Sequence, residues 1–158
     1  MKRILVVCTG NLCRSPMVMA LLQARLARDD DRRDWQVASA GVWAVEGASA
    51  STHGIEEMAE RGIDLSRHRA RPVSRQLVEA ADLVLVMTQH HAEALEAAFP
   101  GQACKVHLLS EMVGRRYDIQ DPYGGARSEY TCVARELEQL IEDGYPRIVA
   151  LAEGGRAD

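Results

Sequence analysis

The sequence has no hydrophobic run that could cross a membrane. Its N-terminal apolar stretch, residues 4–7, is far shorter than the roughly 20 residues of a membrane helix, and shorter than the apolar core of a signal peptide. We therefore expect a cytoplasmic protein with no membrane partner. The chain has 158 residues, of which 47% are hydrophobic and only 4% aromatic; this suits a single domain over residues 1–158 and is too short for two.

Cysteine is also scarce. The four cysteines, at positions 8, 13, 104 and 132, form no Cys-x-x-Cys pair and no spacing with histidine that is typical of zinc sites. This pattern favours a reducing compartment, and we expect no metal and no cofactor. Cys104 and Cys132 fall in apolar patterns, so we expect both in the core.

A net positive charge is missing as well. The formal net charge is −4, which gives a nucleic-acid partner no overall electrostatic support. One local basic stretch, residues 67–75, is typical of a solvated loop. We expect a monomer or a weak dimer that does not bind nucleic acid.

Apolar runs and amphipathic stretches alternate along the chain. Strands are predicted at residues 3–7, 35–38, 82–87 and 104–109, and the first is an uninterrupted apolar run typical of a strand buried on both faces. Five helices are predicted. The first begins at Pro16, and the others cover residues 51–61, 74–81, 90–99 and 128–143. This alternation predicts an α/β fold, a single-domain three-layer sandwich whose four-stranded parallel sheet is flanked by helices.

The junction between the first strand and the first helix carries the chemistry. It reads Cys8-Thr9-Gly10-Asn11-Leu12-Cys13-Arg14-Ser15-Pro16. A loop that tightens into a helix N-terminus directs several backbone N–H groups at one spot, which favours an anion such as phosphate. Gly10 and Asn11 tolerate left-handed backbone, and Arg14 offers a planar fork of donors for two phosphate oxygens. Cys8 would then lie where its thiolate is favoured and can attack phosphorus.

The order Cys-x5-Arg-Ser-Pro after an N-terminal strand resembles the low-molecular-weight protein tyrosine phosphatase family. Two further segments share the likeness, Ser39-Ala40-Gly41 after the second strand and Asp121-Pro122-Tyr123-Gly124 late in the chain, so it covers nearly all of the sequence. The resemblance implies a metal-independent phosphatase that cleaves phosphotyrosine in a protein partner through a cysteinyl-phosphate intermediate.

The resemblance also implies the catalytic roles. Cys8 is the nucleophile, and Arg14, Ser15 and the backbone amides of residues 9–14 bind the phosphoryl oxygens. The departing oxygen needs a proton, and Asp121 matches the general acid of the family, with Asp118 as the nearby competitor.

Other residues would support the loop. Ser15 either caps the helix or donates its hydroxyl to the Cys8 sulfur. By resemblance, Asn11, Ser39 and His68 match positions whose side chains fasten the loop. The remaining histidines, at positions 53, 90, 91 and 107, receive no role.

The walls of the pocket come from three apolar side chains. Leu12, Trp43 and Tyr123 would form a slot in which an aromatic phosphoester stacks. In this family a second loop cysteine can form a reversible disulfide that protects the nucleophile, a role open to Cys13 with Cys8; the alternative is a small buried side chain under the loop.

Several other functions stay open. The stretch near Trp43 and the Asp-Pro-Tyr-Gly-Gly ending also resemble bacterial protein arginine phosphatases, in which threonine follows the loop asparagine; Leu12 at that position favours phosphotyrosine. An arsenate reductase needs a redox cysteine pair after the third strand, and residues 87–99 hold no cysteine. A non-enzymatic phosphate-binding module would lack the nucleophile, the arginine or the acid, and all three are present. A redox sensor would switch between Cys8 and Cys13 without phosphate turnover.

Overall fold

Four strands alternate with five α-helices in the computed structural model, which describes residues 1–155. The strands are β1 (Arg3–Cys8), β2 (Gln36–Gly41), β3 (Leu83–Val86) and β4 (Val106–Leu108). The α-helices are α1 (Arg14–Ala27), α2 (Thr52–Glu60), α3 (Arg75–Ala80), α4 (Gln89–Ala98) and α5 (Arg127–Ala152). Short 3-10 helices cover Asp30–Arg32, Pro100–Lys105 and Leu109–Val113.

All four strands are parallel and lie in the order β2-β1-β3-β4. This arrangement confirms the predicted α/β fold with a parallel sheet. The order changes direction at β1, because β2 lies on one side of it and β3 on the other. In open parallel sheets a ligand crevice forms at such a point, beyond the carboxyl ends of the strands. The residue at that end of β1 is Cys8.

Alternate side chains of β1 divide the core into two layers. Ile4, Val6 and Cys8 pack with α1, α2 and α5 on one face of the sheet, whereas Leu5 and Val7 pack with α3 and α4 on the other. All five are buried. Since both faces are covered, the strand is apolar throughout, as the sequence predicted.

The last helix is longer than predicted. The sequence placed its end at Asp143, but α5 continues to Ala152 and contains Pro146. Proline inside a helix is unfavourable by about 3 kcal/mol, because its ring clashes with the preceding turn and it donates no hydrogen bond. Tyr145, Ile148 and Val149 are buried on either side of it, and burial of such side chains stabilises the helix by a comparable amount. Within residues 1–155, neither α5 nor another helix is long and apolar enough to cross a membrane.

Two strand boundaries also differ from the prediction. β2 extends through Gly41, because Ser39, Ala40 and Gly41 pair with residues 6–8 of β1 rather than opening a loop. β4 is confined to Val106–Leu108, since the preceding Pro100–Lys105 segment turns as a 3-10 helix.

The prediction that Cys104 and Cys132 are buried is wrong, because both are exposed. Cys104 lies in the 3-10 helix before β4, where the alternation of a strand does not apply. On α5 the buried positions include Val133 and Leu137. One residue corresponds to about 100° of rotation around a helix, which turns Cys132 away from the core.

Candidate active site

The loop after β1 turns on one left-handed residue. Asn11 has φ 56°, and no other non-glycine residue in the described part of the chain has a positive φ. Gly10, which the sequence suggested for the same purpose, keeps a negative φ. Asparagine adopts this conformation more readily than most residues because its short side chain can bond locally.

The Asn11 side chain is fully buried and all its hydrogen bonds are made within the protein. Its Nδ2 donates to Ser15 Oγ at 2.8 Å and to Ser39 Oγ at 2.9 Å, while its Oδ1 accepts from the Arg71 backbone N–H at 3.1 Å. His68 Nε2 lies 2.8 Å from the Asn11 carbonyl oxygen, and because a carbonyl only accepts, Nε2 carries the proton. Burial lowers the pKa of His68, which keeps the ring neutral in this role. The structure thus brings together Asn11, Ser39 and His68.

The basic segment of residues 67–75 is more than the solvated loop that the sequence suggested. The Gly41 N–H donates to the Arg71 carbonyl and the Val73 N–H donates to the Gly41 carbonyl, both at 2.9 Å, so the segment continues the edge of the sheet. The Arg71 Nε also donates to the Ser39 carbonyl at 3.1 Å. Arg71 therefore fastens the loop, and the sequence held no signal for this because its partners are distant in the chain.

Gly41 allows β2 to approach the loop. A Cβ at this position would lie 2.4 Å from the Thr9 carbonyl oxygen and 3.0 Å from the Asn11 backbone nitrogen. Because both neighbours are backbone atoms, they cannot rotate away as a flexible side chain would. The loop can therefore take this position only beside a glycine.

The Cys8 sulfur lies at the base of the loop and is buried. Its Sγ is 3.0 Å from the Ser15 hydroxyl oxygen, which also accepts the hydrogen bond from Asn11. The first helical residue of α1 is Arg14, and the preceding N-cap is Cys13, so Ser15 does not cap the helix. Of its two predicted roles, the structure supports contact with the Cys8 sulfur.

The Arg14 guanidinium is nearly buried, with 4% of its surface exposed. Its Nη1 donates to the Ile119 carbonyl at 2.9 Å, and its Nη2 lies 3.4 Å from both the Thr9 hydroxyl and an Asp121 carboxylate oxygen. Its Nε is buried and has no hydrogen-bond partner among residues 1–155. The two Nη atoms therefore hold the guanidinium in place, and Nε remains an unused donor.

The two candidate acids occupy different places. Asp121 lies on the segment before α5, where one carboxylate oxygen accepts from the Tyr123 N–H at 3.1 Å, and its side chain is 44% exposed. Asp118 instead accepts from the Gln89 N–H at 2.8 Å, at the start of α4. Only Asp121 faces Arg14, which favours it over Asp118.

A cavity of about 190 Å³ joins these groups. It is lined by Cys8, Thr9, Gly10, Leu12, Cys13, Arg14, Asp121 and Tyr123. Trp43, suggested for the same wall, is not among the described lining residues, and its side chain is 83% exposed. Larger hollows of about 610, 660 and 220 Å³ contain neither the sulfur nor the acid, and one of about 290 Å³ includes Asp121 but not Cys8 or Arg14. We therefore assign the site to the smaller cavity on its chemistry.

Cys13 is buried in the same wall, and its Sγ lies 3.3 Å from the Tyr130 hydroxyl oxygen. Burial raises the pKa of the Cys13 thiol. Burial also raises the pKa of Tyr130, to about 12, and the hydrogen bond with Cys13 adds to this effect. Both groups are therefore neutral near pH 7, and the structure has no disulfide between Cys8 and Cys13.

His91 is a residue of the site that the sequence did not reveal. It lies on α4 with 1% of its surface exposed, and its Nε2 is 2.8 Å from the Thr9 hydroxyl oxygen. Burial lowers the pKa of its ring to about 4, with a further contribution from the charge of Arg14. No spacing in the sequence connects positions 9 and 91.

Comparisons with known proteins give matches over nearly the whole chain. A family model described as low molecular weight phosphotyrosine protein phosphatase matches residues 3–148. A probable low molecular weight protein-tyrosine-phosphatase, EpsP of Ralstonia nicotianae, is 40% identical over 153 residues, which cover 95% of this chain and 98% of that protein. A protein-arginine-phosphatase of Bacillus subtilis is 40% identical over 139 residues, covering 87% and 91%.

A solved structure shows the same likeness. The crystal structure of a low molecular weight protein tyrosine phosphatase from T. tengcongensis matches this chain with a TM-score of 0.87 and 39% sequence identity. The match covers 93% of this chain and 99% of that one.

Proposed function

Because this chain belongs to the low molecular weight phosphotyrosine protein phosphatase family and is a phosphatase, we propose that it hydrolyses phosphotyrosine in proteins with Cys8 as the nucleophile. The observation that carries this assignment is the single cavity lined by Cys8, Arg14 and Asp121. These side chains supply a nucleophile, a fixed positive charge and a proton donor, which together suffice for phosphoester cleavage. We propose that the chain acts in the cytoplasm as one domain, as a monomer or weak dimer.

The first step transfers the phosphoryl group to sulfur. The unused Arg14 Nε and the amides of residues 9–14 bind the phosphoryl oxygens, and the Cys8 thiolate attacks phosphorus. The sulfur–phosphorus bond forms while the bond to the leaving oxygen breaks, and the Asp121 carboxyl group gives its proton to that oxygen. The products are cysteinyl phosphate and a free tyrosine side chain.

The second step returns the enzyme to its starting state. The Asp121 carboxylate takes a proton from a water molecule, whose oxygen attacks phosphorus and releases inorganic phosphate. The sulfur leaves as a thiolate, and the Ser15 hydroxyl, 3.0 Å away, stabilises it with a hydrogen bond. No metal ion takes part in either step.

Phosphoarginine is the second candidate substrate. The similarity to the Bacillus subtilis protein-arginine-phosphatase supports it, at the same 40% identity as the EpsP match. Against it stands Leu12, which lines the cavity and offers no hydroxyl to a guanidinium. Leu12 and Tyr123 instead present apolar surface to the cavity, which suits an aromatic ring.

The chemistry is tested with an aryl phosphate in the presence of a chelator. With p-nitrophenyl phosphate we expect turnover by the unsubstituted protein, none by Cys8→Ser, and accumulation of a phosphoenzyme in Asp121→Ala. The p-nitrophenolate leaves without a proton from residue 121, whereas the second step still needs Asp121 to activate water. Asp118→Asn is the matched control and should retain turnover. Full activity of Cys8→Ser would refute the proposal.

Substrate preference is tested with phosphotyrosine and phosphoarginine peptides of otherwise equal sequence. We expect the parent to prefer phosphotyrosine, and we expect Leu12→Thr to shift the ratio of the two kcat/KM values toward phosphoarginine. An identical ratio in parent and variant would show that Leu12 does not set the preference.

A further inference from the structure

We propose that the Thr9 hydroxyl donates a hydrogen bond to the bound phosphoryl group, and that His91 is the positioning residue that turns this hydrogen into the cavity. The proposal rests on the proposed function, since it concerns the same site. It adds a side-chain donor to the backbone amides and the Arg14 guanidinium.

The Thr9 hydroxyl oxygen lies between two nitrogen groups. Arg14 Nη2 is 3.4 Å from it and His91 Nε2 is 2.8 Å from it. A guanidinium has no acceptor, so Arg14 donates to one of the two lone pairs of the hydroxyl oxygen. What the hydroxyl hydrogen can do then depends on which nitrogen of His91 carries its proton.

The surroundings of His91 determine its tautomer. The ring is neutral near pH 7, because burial and the neighbouring charges of Arg14 and His90 lower its pKa to about 4, despite the opposing effect of Asp118 and Asp121. Its Nδ1 is buried and has no partner in the described part of the chain. A buried N–H without an acceptor is rarer in proteins than an unused acceptor, so we infer that Nδ1 is bare and Nε2 carries the proton.

Both lone pairs of the Thr9 oxygen are then occupied, one by Arg14 and the other by the His91 Nε2–H. The hydroxyl must donate its own hydrogen elsewhere, and no acceptor for it lies among residues 1–155. Thr9 lines the same cavity as Cys8 and Arg14, the cavity in which we propose that the phosphoryl oxygens bind. A bound phosphoryl group supplies the missing acceptor.

Two pairs of variants separate this role from mere packing. Thr9→Val removes the hydroxyl at nearly constant volume, and Thr9→Ser retains it. His91→Gln places an amide N–H near the position of Nε2, whereas the shorter His91→Asn reaches only the position of Nδ1. Steady-state kinetics with an aryl phosphate, inhibition by inorganic phosphate and thermal unfolding are measured for all four.

Thr9→Val should lower kcat/KM about tenfold and weaken inhibition by phosphate similarly, as expected when one hydrogen bond to a charged group is lost. His91→Asn should lose about fivefold and His91→Gln less than about twofold, because only glutamine restores the donor. Thr9→Ser should stay within about twofold of the parent. The double variant Thr9→Val/His91→Asn should be no worse than Thr9→Val alone, since His91 acts through the hydroxyl.

Three results would overturn the inference. The first is Thr9→Val with parental kinetics and parental phosphate inhibition. The second is multiplication of the Thr9→Val and His91→Asn losses in the double variant. The third is a long-range ¹H–¹⁵N spectrum of the unsubstituted protein that places the His91 proton on Nδ1, a measurement that needs no variant to fold. An inactive parent would instead refute the proposed function, and phosphate binding would still test the Thr9 hydroxyl.

Discussion

Two buried charges in this molecule have opposite surroundings. Glu57 lies between α2 and α5 with 1% of its surface exposed, and its carboxylate accepts from Arg61 Nη1 at 2.8 Å, from Arg127 Nε at 3.0 Å and from the Thr131 hydroxyl. Arg14 is nearly as hidden, and its Nε has no partner among the described residues; the Nε of Arg61 is also unpartnered, but only Arg14 lines the cavity with Cys8. A buried charge whose hydrogen bonds are all made within the protein is suited to a structural role, whereas an unused donor on a charged group that lines a cavity is suited to a ligand.

The electrostatics of Glu57 agree with a structural role. Burial alone would raise the pKa of its carboxyl group, but the hydrogen bonds from Thr131, Arg61 and Arg127 outweigh this and lower the pKa to about 2. The carboxylate is therefore charged at neutral pH without any ligand. The Arg14 guanidinium differs because its Nε is a donor that an anion bound in the cavity can use.

The largest effect expected from this comparison is on catalysis. Arg14→Lys should lower kcat/KM by roughly a thousandfold, because a lysine ammonium cannot reproduce the planar fork that stabilises the transition state. The unliganded variant should unfold near the parent's midpoint. Sulfate should raise the midpoint of the parent and not that of Arg14→Lys, as seen by thermal unfolding with and without the anion. Equal stabilisation of both proteins by sulfate would remove the distinction between the two charges.

The next effect is on stability. Glu57→Gln should reduce the free energy of unfolding by roughly 2 kcal/mol, because the charged hydrogen bonds that Glu57 shares with Arg61 and Arg127 are weakened, while Arg61 keeps Glu138 and Arg127 keeps Glu56 and Glu60. Activity per folded molecule should change by less than about threefold, because Glu57 does not line the cavity. Urea unfolding and kinetics on the same preparations measure both. A large loss of kcat in fully folded Glu57→Gln would contradict a purely structural role.

A smaller effect concerns pH. The neutral His91 ring stabilises the fold fully above its ordinary pKa of 6.5, and this contribution is lost as the pH falls toward the folded value of about 4. For Glu57 the contribution is present above the ordinary 4.5 and is lost as the pH falls toward about 2. The free energy of unfolding, measured with urea at a series of pH values, should therefore fall less steeply between pH 6.5 and 4 in His91→Gln than in the parent. Some decrease should remain, because the pKa of His68 is also lowered in the folded protein. Glu57→Gln should flatten only the lower window, and interchanged windows would show that the two shifts are misassigned.

The smallest effect is expected at an exposed pair. Arg75 and Glu79 lie 3.6 Å apart on α3, with 65% and 52% of their side chains exposed. Water and salt screen such pairs, so Glu79→Gln should leave the urea midpoint unchanged. This variant is the matched control for Glu57→Gln, since both replace a carboxylate in an ion pair with an amide. Similar losses of stability in Glu79→Gln and Glu57→Gln would mean that burial of the carboxylate does not determine how much an ion pair contributes.

The sequence predicts the shape of the Cys8–Ser15 loop from short-range patterns, whereas its partners Ser39 and His68 are distant in the chain and were indicated only by the family resemblance. Local rules connect the apolar strand, the left-handed Asn11 and the start of α1, and the alternation of elements predicts the parallel sheet. His91 and Arg71 could not be predicted, because they reach the loop from distant segments through tertiary contacts. The hydrogen bonds of Glu57 could not be predicted for the same reason, since Arg127 and Thr131 belong to another helix.

Two errors concern the last helix, its end and the exposure of Cys132, and both arise because local sequence signals do not determine burial. Pro146 is a local signal for a helix end, and burial of the residues around it overrides that signal. Cys132 and Val133 are both apolar, so hydrophobicity alone does not identify which of the two faces the core. Neither ambiguity affects the loop, where backbone geometry and hydrogen-bonding side chains determine the arrangement.

The closeness of Gly41 to the Thr9 carbonyl makes the proposed phosphate-binding loop sensitive to a substitution outside the pocket. A single methyl group added there would collide with the backbone of Thr9 and Asn11 and displace the loop, while Cys8, Arg14 and Asp121 all stay chemically intact. An inactive protein from a genetic screen could thus carry a complete set of reacting groups. Its defect would lie in a strand that never meets the substrate.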